Sequence, residues 1–348
     1  MTNTNIFLVG TGLIGSTLLS QIQEQRGLAL RIVGLANIDT MLFDRGGIVL
    51  ENWEQKLKRG RPVDLKSFVH QMIKMNLPGS IFIDCTASED IVSLYPQILK
   101  ADIAIITPNK KANSGPLKTF KKLRELSKTN NTPFIYEANV GAGLPIIHSL
   151  QGLVKSGDKV KEIEAILSGT LSYIFNTFSN GKNSNSFSSI VKDAQKRGYT
   201  EPDPRNDLNG MDFARKMLIL GREIGLPMEL GQVKVEQLLP RECMKAKSIT
   251  EFFTTLAKFD KNFEQRKIRA QKKNKVLRYI GKLSNGHASI SLEEVDVYHP
   301  FFSMSGSDNI ISIKTKRYNF TPLVIKGPGA GAEVTAGGLL ASIIRIMK

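Results

Sequence analysis

The sequence predicts an α/β fold: a doubly wound parallel sheet followed by a second, α+β domain. Three observations carry that expectation. Short apolar runs alternate with helical segments up to about residue 140, a glycine-rich turn joins the first run to the first helix, and from about residue 145 helices mix with strands that read as an antiparallel sheet. At 348 residues the chain also exceeds the usual size of a single core.

Taken in order, NIFLV (5–9) is the first strand, stopped by GTGLIG (10–15), after which STLLSQIQEQ (16–25) has helical spacing. LRIVGLA (30–36), SIFIDCT (80–86), DIAIITP (102–108) and PFIYEANV (133–140) are further strands, and KTFKKLRELSKTN (118–130) is a helix. In the second part, IIHSLQGLVKSG (146–157) and MDFARKMLILGREIG (211–225) are helical, KEIEAILSGT (161–170) is a strand ending in a loop, and SNGKNSNSFSS (179–189) is a polar surface turn. VLRYIGKLS, ASISLEEVDV and ISIKTKRY, all between 276 and 318, are strands of the antiparallel sheet. GPGAGAEVTAGG (327–338) precedes a terminal helix, LLASIIRIMK. The first domain is expected over 1–140, completed by a return of the chain over 326–348, and the second over 141–325.

Hydrophobic residues at 41% and charged residues at 23% describe an ordinary globular chain. No apolar run approaches the roughly 18 residues of a membrane span. The N-terminus runs straight into a strand with no basic segment ahead of it, so no signal peptide and a cytoplasmic location are expected. Cys85 and Cys243 are the only cysteines, in no metal-ligand spacing, which fits a reducing compartment. Four scattered histidines argue against a transition-metal site. The net charge of +16 invites a nucleic-acid reading. However, the basic residues are spread along the chain, chiefly over 118–128 and 265–275, without interleaved aromatics for base stacking, and no nucleic-acid or membrane partner is expected.

Gly10, Gly12 and Gly15 form a GxGxxG directly after a strand and opening a helix, with Leu13 and Ile14 inside it. The first glycine permits the tight turn, the second lets a pyrophosphate approach the backbone, and the third allows close helix–strand packing. Free N–H groups and the helix dipole then favour the anion. This is the dinucleotide cradle of a Rossmann-type domain. At the end of the second strand, Ala36 and Asn37 stand where an NAD-selective fold places its ribose-binding carboxylate, and Asp39 comes two or three positions late. Arg45, Lys56 or Lys58 could reach a 2′-phosphate, so NADP is the expected cofactor, with NAD possible. GPGAGAE could form a second nest of N–H groups or simply a mobile loop, and its place near the C-terminus favours a return of the chain to the first domain.

The stretch GYTEPDPRNDLNGMDFARK (198–216) sets Glu201, Asp203, Asp207 and Asp212 ahead of Lys216. Asp212 and Lys216 share one helix face at i, i+4. A lone pair of this kind is commonly an exposed ion pair worth a few tenths of a kcal/mol. Here a kinked loop with two prolines brings three more carboxylates. A lysine among carboxylates can act as a general acid, and the carboxylates can bind a substrate ammonium.

That stretch resembles the signature of homoserine dehydrogenase, which interconverts L-aspartate 4-semialdehyde and L-homoserine in threonine, methionine and isoleucine biosynthesis. The resemblance continues through GTGLIG (10–15), DCTAS (84–88), TPNKKA (107–112), NVGAGLP (139–145), LSGTLSYIFN (167–176) and GPGAGAEVTA (327–336). LANIDTMLFDRGGIVLENW (35–53) is most similar to the dehydrogenase half of bifunctional aspartokinase–homoserine dehydrogenases. The resemblance implies that Lys216 is the general acid and that Asp212 orients the substrate and the proton carrier. It implies that Glu201 holds the substrate ammonium with Asp207 nearby, and that Lys110, rather than Lys111, faces substrate and nicotinamide. Thr86 and Gly331 would touch the cofactor. Glu137 and the carbonyls of Val140, Ala142 and Leu144 would hold a monovalent cation, Na+ or K+, that braces the domain junction. Asn206, His148 and Gly337–Gly338 depart from the usual pattern without touching the proposed chemistry.

Two other readings compete: another NAD(P)-dependent amino-acid or semialdehyde oxidoreductase of the same architecture, and a non-catalytic nucleotide sensor. An acylating semialdehyde dehydrogenase needs a nucleophilic cysteine, and here Cys85 lies at a strand end and Cys243 in a loop. The strands between 276 and 318 need edge partners, which with the resemblance suggests a homodimer through the second domain. The span of the sequence has room for neither an aspartokinase half nor a C-terminal regulatory domain, so weak or no threonine inhibition is expected.

Overall fold

The structure, a computed structural model, describes residues 4–25, 27–180 and 184–347. They form two compact units, Met1–Pro145 with Ala330–Lys348, and Ile146–Gly329. The boundaries thus fall at 145 and 329 and not at 140 and 325. The reason is packing: a Cβ on Gly143 would sit 2.3 Å from the Val334 carbonyl oxygen, so the loop after residue 140 is pressed onto the terminal helix of the first unit.

The first unit holds a seven-stranded sheet. Its strands are β1 (Thr4–Val9), β2 (Leu30–Ala36), β3 (Thr40–Phe43), β4 (Arg61–Pro62), β5 (Ser80–Asp84), β6 (Ala104–Ile106) and β7 (Phe134–Ile135), in the order β4-β3-β2-β1-β5-β6-β7. From β2 through β7 the pairs are parallel, and β3 and β4 add an antiparallel edge. β1 and β5 are buried along their whole length, as continuous apolar runs must be when both faces of a parallel sheet are covered. Phe7, Phe68, Phe82 and Tyr95 fill one side. On the other, Leu18 and Leu19 of the helix Leu13–Glu24 meet Leu339 and Ile343 of the terminal helix Ala332–Ile346.

Two expectations need correction here. PFIYEANV supplies a strand of two residues only, because the chain turns at Tyr136 into a 3-10 turn, Glu137–Asn139, whose Asn139 donates to the buried Thr107 carbonyl. The glycine-rich C-terminal segment is helical from Ala332, so Gly337 and Gly338 lie inside the helix. Gly338 is there for contact: a Cβ would meet Gly143 Cα at 2.8 Å.

The second unit holds a six-stranded sheet in the order β13-β12-β8-β10-β11-β9, from β8 (Val160–Ile166), β9 (Lys234–Val235), β10 (Val276–Ser284), β11 (His287–Val295), β12 (Asp308–Thr315) and β13 (Leu323–Pro328). All its pairs are antiparallel except β9 with β11. In β11 the alternation is clean: Ala288, Ile290 and Leu292 are buried, while Ser289, Ser291 and Glu293 face the other way. Helices Gly169–Phe178 and Met211–Glu223 pack on the sheet. The strands between 276 and 318 do not form the open edge expected of them. β8 lies between β10 and β12, and β9 and β13 take the edges.

The polar turn expected over 179–189 lies partly outside the described residues, and from Phe187 the chain is a helix capped by the Ser186 hydroxyl. The segment Gly169–Phe178, rich in aromatic and β-branched residues, is helical as well. Its first turn is tied by Ser168 Oγ accepting from Leu171 N–H at 3.2 Å. Among the described residues no helix is long and apolar enough to cross a membrane.

Candidate functional site

In the first unit the cradle stands where β1 gives way to the helix Leu13–Glu24, at the C-terminal ends of the central strands. Its three glycines are required for different reasons. Gly10 has φ +92°, and a Cβ there would lie 2.8 Å from the Cys85 carbonyl carbon and 2.9 Å from Thr86 Cγ2. A Cβ on Gly15 would lie 2.1 Å from the Gly10 carbonyl oxygen, so the helix can pack on its own turn only without a side chain. A Cβ on Gly12 would meet nothing within 4 Å. The space above Gly12 is therefore open, the helix has no side-chain cap, and its first turn carries no carboxylate. Leu13 is exposed and Ile14 half-buried. Uncapped N–H groups beside open space fit a pyrophosphate.

At the end of β2, Asn37 Oδ1 accepts the N–H groups of Asp39 at 2.8 Å and Thr40 at 2.6 Å, so Asn37 shapes the turn into β3. Arg45 donates to the Met75 carbonyl at 3.3 Å, which engages one of the three basic residues expected near a 2′-phosphate.

Thr86 follows β5, and Lys110 precedes a short helix, Lys111–Ser114. The Lys110 carbonyl accepts Ser114 N–H at 2.8 Å, which fixes its backbone. Lys111 pairs with Glu89 at 2.7 Å. Gly331, with φ +114°, precedes the terminal helix in the same unit. Buried Glu137 lies 3.8 Å from Arg345, and Gly141 and Ala142 are both left-handed, with φ +77° and +54°. Among the described residues no group of three or more His, Cys, Asp or Glu is placed to hold a metal ion.

In the second unit the carboxylates of 198–216 have separate fates. Asp203 is bound by the Arg205 guanidinium, which also donates to the Ala246 carbonyl, and that pairing holds its carboxyl below the usual range. Asp207 accepts Glu201 N–H at 2.8 Å and Thr170 Oγ1–H at 3.1 Å. Burial pushes its carboxyl up against those bonds, and the charges of Glu201 and Asp212 push the same way. Glu201 is exposed. Lys216, only 12% exposed, donates to Asp212 Oδ2 at 2.8 Å and to the Leu167 carbonyl at 2.7 Å.

The segment after β8 therefore serves two groups. Leu167 holds Lys216, and Thr170 ties Asp207 to the Tyr199 carbonyl. Neither contact is visible in the spacing of 198–216, since they span 49 and 37 residues. The motif LSGT marks the segment without saying what it does. Cys243 is not in a loop but buried in the short helix Arg241–Lys245. Both cysteines are free thiols, and burial pushes both up in pKa, so neither suits a nucleophile at neutral pH.

A family signature described as homoserine dehydrogenase matches residues 145–344, and one described as homoserine dehydrogenase, NAD binding domain, matches residues 10–137. The chain is 44% identical over 99% of its length to a chloroplastic bifunctional aspartokinase/homoserine dehydrogenase from Zea mays, and spans 38% of that relative's length. It is 43% identical to the homoserine dehydrogenase of Saccharomyces cerevisiae, covering 99% of this chain and 98% of that one. A crystal structure of a protein of unknown function from Candida auris superposes with a TM-score of 0.92 at 40% identity, covering 99% of this chain and 98% of the other.

Proposed function

The chain belongs to the homoserine dehydrogenase family, and from that premise we propose that it interconverts L-aspartate 4-semialdehyde and L-homoserine. A nicotinamide dinucleotide held at Gly10, Gly12 and Gly15 would supply or accept the hydride at the carbon bearing the oxygen. The observation that carries the reading is Lys216, whose ammonium is held by Asp212 Oδ2 and the Leu167 carbonyl. Two of its three hydrogens are engaged, and the third serves the substrate oxygen. In the reducing direction Lys216 protonates that oxygen as it becomes an alkoxide, and in the oxidising direction it takes the proton back. Asp212 keeps the ammonium in place, exposed Glu201 binds the substrate ammonium, and Asp207 fixes the Glu201 backbone by accepting its N–H. Thr86 serves the cofactor, and Lys110 the substrate and nicotinamide. Oxidation of L-homoserine with NADP or NAD, followed at the nicotinamide absorbance, tests this, and no turnover with either would sink it.

The absence of a carboxylate at Ala36 and Asn37 supports NADP being used at least as well as NAD. A specificity constant strongly favouring NAD would overturn that and point to Asp39. Glu137 with the carbonyls of Val140, Ala142 and Leu144 is the candidate monovalent cation site; its support is a buried carboxylate beside a left-handed loop. The free thiols fit a reducing compartment, and the cytoplasm is the proposed location. A homodimer through the second unit is supported by exposed apolar groups, Val297, Tyr298 and Phe320, of which Tyr298 lines a cavity with Glu164, His299 and Lys314. A monomer by light scattering at micromolar concentration would count against it.

A further inference from the structure

Asp84 ends β5 at the centre of the first sheet and is wholly buried. Burying a carboxylate is costly unless other groups replace the lost water. Here the replacements are neutral. Oδ1 accepts Thr86 N–H at 2.7 Å, and Oδ2 accepts Tyr95 O–H at 2.6 Å and Asn109 Nδ2–H at 2.9 Å. No cationic side chain among the described residues pairs with it. The orientation of the Asn109 amide is set independently, since its Oδ1 accepts Lys111 N–H at 3.0 Å and its Nδ2 also donates to the Ser88 carbonyl at 2.9 Å. The backbone takes part too: the Asp84 carbonyl accepts Thr107 Oγ1–H at 2.8 Å, and Thr107 Oγ1 accepts Asn109 N–H at 2.9 Å.

We propose that Asp84 is a positioning residue for hydride transfer, its carboxylate locking the loop that carries Thr86 to the loop that carries Lys110. The inference rests on the dehydrogenase reading above, in which Thr86 serves the cofactor and Lys110 the substrate. Thr86 lies two residues after Asp84, and Lys110 directly follows Asn109. Desolvation pushes the Asp84 carboxyl above its ordinary range even with these hydrogen bonds. A carboxyl whose folded-state pKa is raised contributes stability below its unfolded value and loses it as pH rises through the folded value. At neutral pH the charge therefore weakens the fold relative to a neutral group of the same shape. What the charge provides is acceptor capacity on both oxygens at once.

Asp84→Asn keeps the shape and turns one acceptor into a donor, which must face Thr86 N–H or Asn109 Nδ2–H. Tyr95 O–H can turn round and accept from the new amide, whereas the Thr86 N–H cannot, so the donor settles on the Asn109 side. The side-chain link to the Lys110 loop is then cut, while the Thr86 link and the backbone relay through Thr107 survive. The expected result is a kcat for homoserine oxidation lower by about 10- to 100-fold, the scale of an ångström-sized misplacement. The KM for homoserine rises, the Kd for NADPH measured by its fluorescence stays within about threefold, and the Tm is unchanged or higher. A purely structural role gives the opposite split, with a lower Tm and normal turnover per folded molecule. Asn109→Ala cuts the same link from the other end and gives the same loss of kcat with NADPH binding kept. Values of kcat and KM within twofold of the parent in either variant, or failure of Asp84→Asn to fold, would overturn the proposal. Inactivity of the parent chain would instead sink the dehydrogenase reading.

Discussion

In the first unit the carboxylate of Asp84, at the end of a buried parallel strand, is held by neutral donors, Thr86, Tyr95 and Asn109. In the second, on a half-exposed loop and helix, Asp203 is held by the charge of Arg205 and Lys216 by that of Asp212. The difference follows from where each can obtain solvation. The end of a central strand covered on both faces offers only hydrogen bonds, and an uncompensated ion there must be served by several of them. A loop open to water tolerates ion pairs at low cost, but each contributes little unless further groups fix its geometry. For Lys216 that further group is the Leu167 carbonyl, which turns a surface pair into a positioned one.

The largest effect expected from breaking this arrangement is in the second unit. Lys216→Ala should lower turnover by about 10²- to 10⁴-fold, the range for a positioned acid or base, with NADPH affinity unchanged. Asp212→Asn should also lower it, and the double variant should lose less than the sum, because the two act as one group. If the pair were only a surface contact, Lys216→Ala would turn over normally and lose under about 1 kcal/mol of stability.

The cradle allows a cleaner division. Gly12→Val fills open space, so the KM for NADP should rise about tenfold or more with the Tm unchanged, the expected cost of crowding a pyrophosphate off the backbone. Gly15→Ala drives a methyl into the Gly10 carbonyl and should destabilise by at least about 1–3 kcal/mol, seen as a Tm several degrees lower. Equal Tm losses in both would mean that Gly12 is structural. Smaller still is Glu201→Gln, expected to raise the KM for homoserine by about tenfold, the weight of one charge-assisted contact, with kcat little changed. Asp203→Asn should alter stability alone, since Asp203 is occupied by Arg205.

How much of this is legible in the sequence tracks the distance between partners. The GxGxxG and its strand and helix lie within one continuous stretch, and β2 spans Leu30–Ala36 as its apolar run predicts. The i, i+4 pair of Asp212 and Lys216 is local as well. What the residues alone do not reveal is contact across the chain: Leu167 to Lys216, Thr170 to Asp207, Arg205 to the Ala246 carbonyl, and Asn109 to Asp84. The same limit explains the misplaced sheet edge. Strand patterns over 276–318 are plain, but nothing in them says that β8, over a hundred residues earlier, inserts between β10 and β12. Composition misleads at the C-terminal glycines, where Gly337 and Gly338 lie inside a helix and Gly338 is packed against Gly143.

The smallest expected effect is also the most direct contrast between the two units, because two carboxylates should respond to pH with opposite sign. Glu164, on β8, lies 3.3 Å from His299 Nε2 and 3.1 Å from Lys282 Nζ, and the bond to His299 followed by the charge of Lys282 holds its carboxyl below the usual range. A depressed folded-state pKa gives stability that is present above the unfolded value and lost as pH falls through the folded one. Asp84 is raised, so its contribution runs the other way and is lost as pH rises. Thermal unfolding of the parent, Glu164→Gln and Asp84→Asn across the acidic range should therefore diverge. The advantage of the parent over Glu164→Gln, under about 1 kcal/mol for a partly exposed pair, should be full near neutrality and vanish in acid. The disadvantage of the parent relative to Asp84→Asn should be absent in acid and grow toward neutrality. The same sign in both would mean that Asp84 has an ionic partner in solution, and the contrast between a hydrogen-bonded and an ion-paired carboxylate would fail.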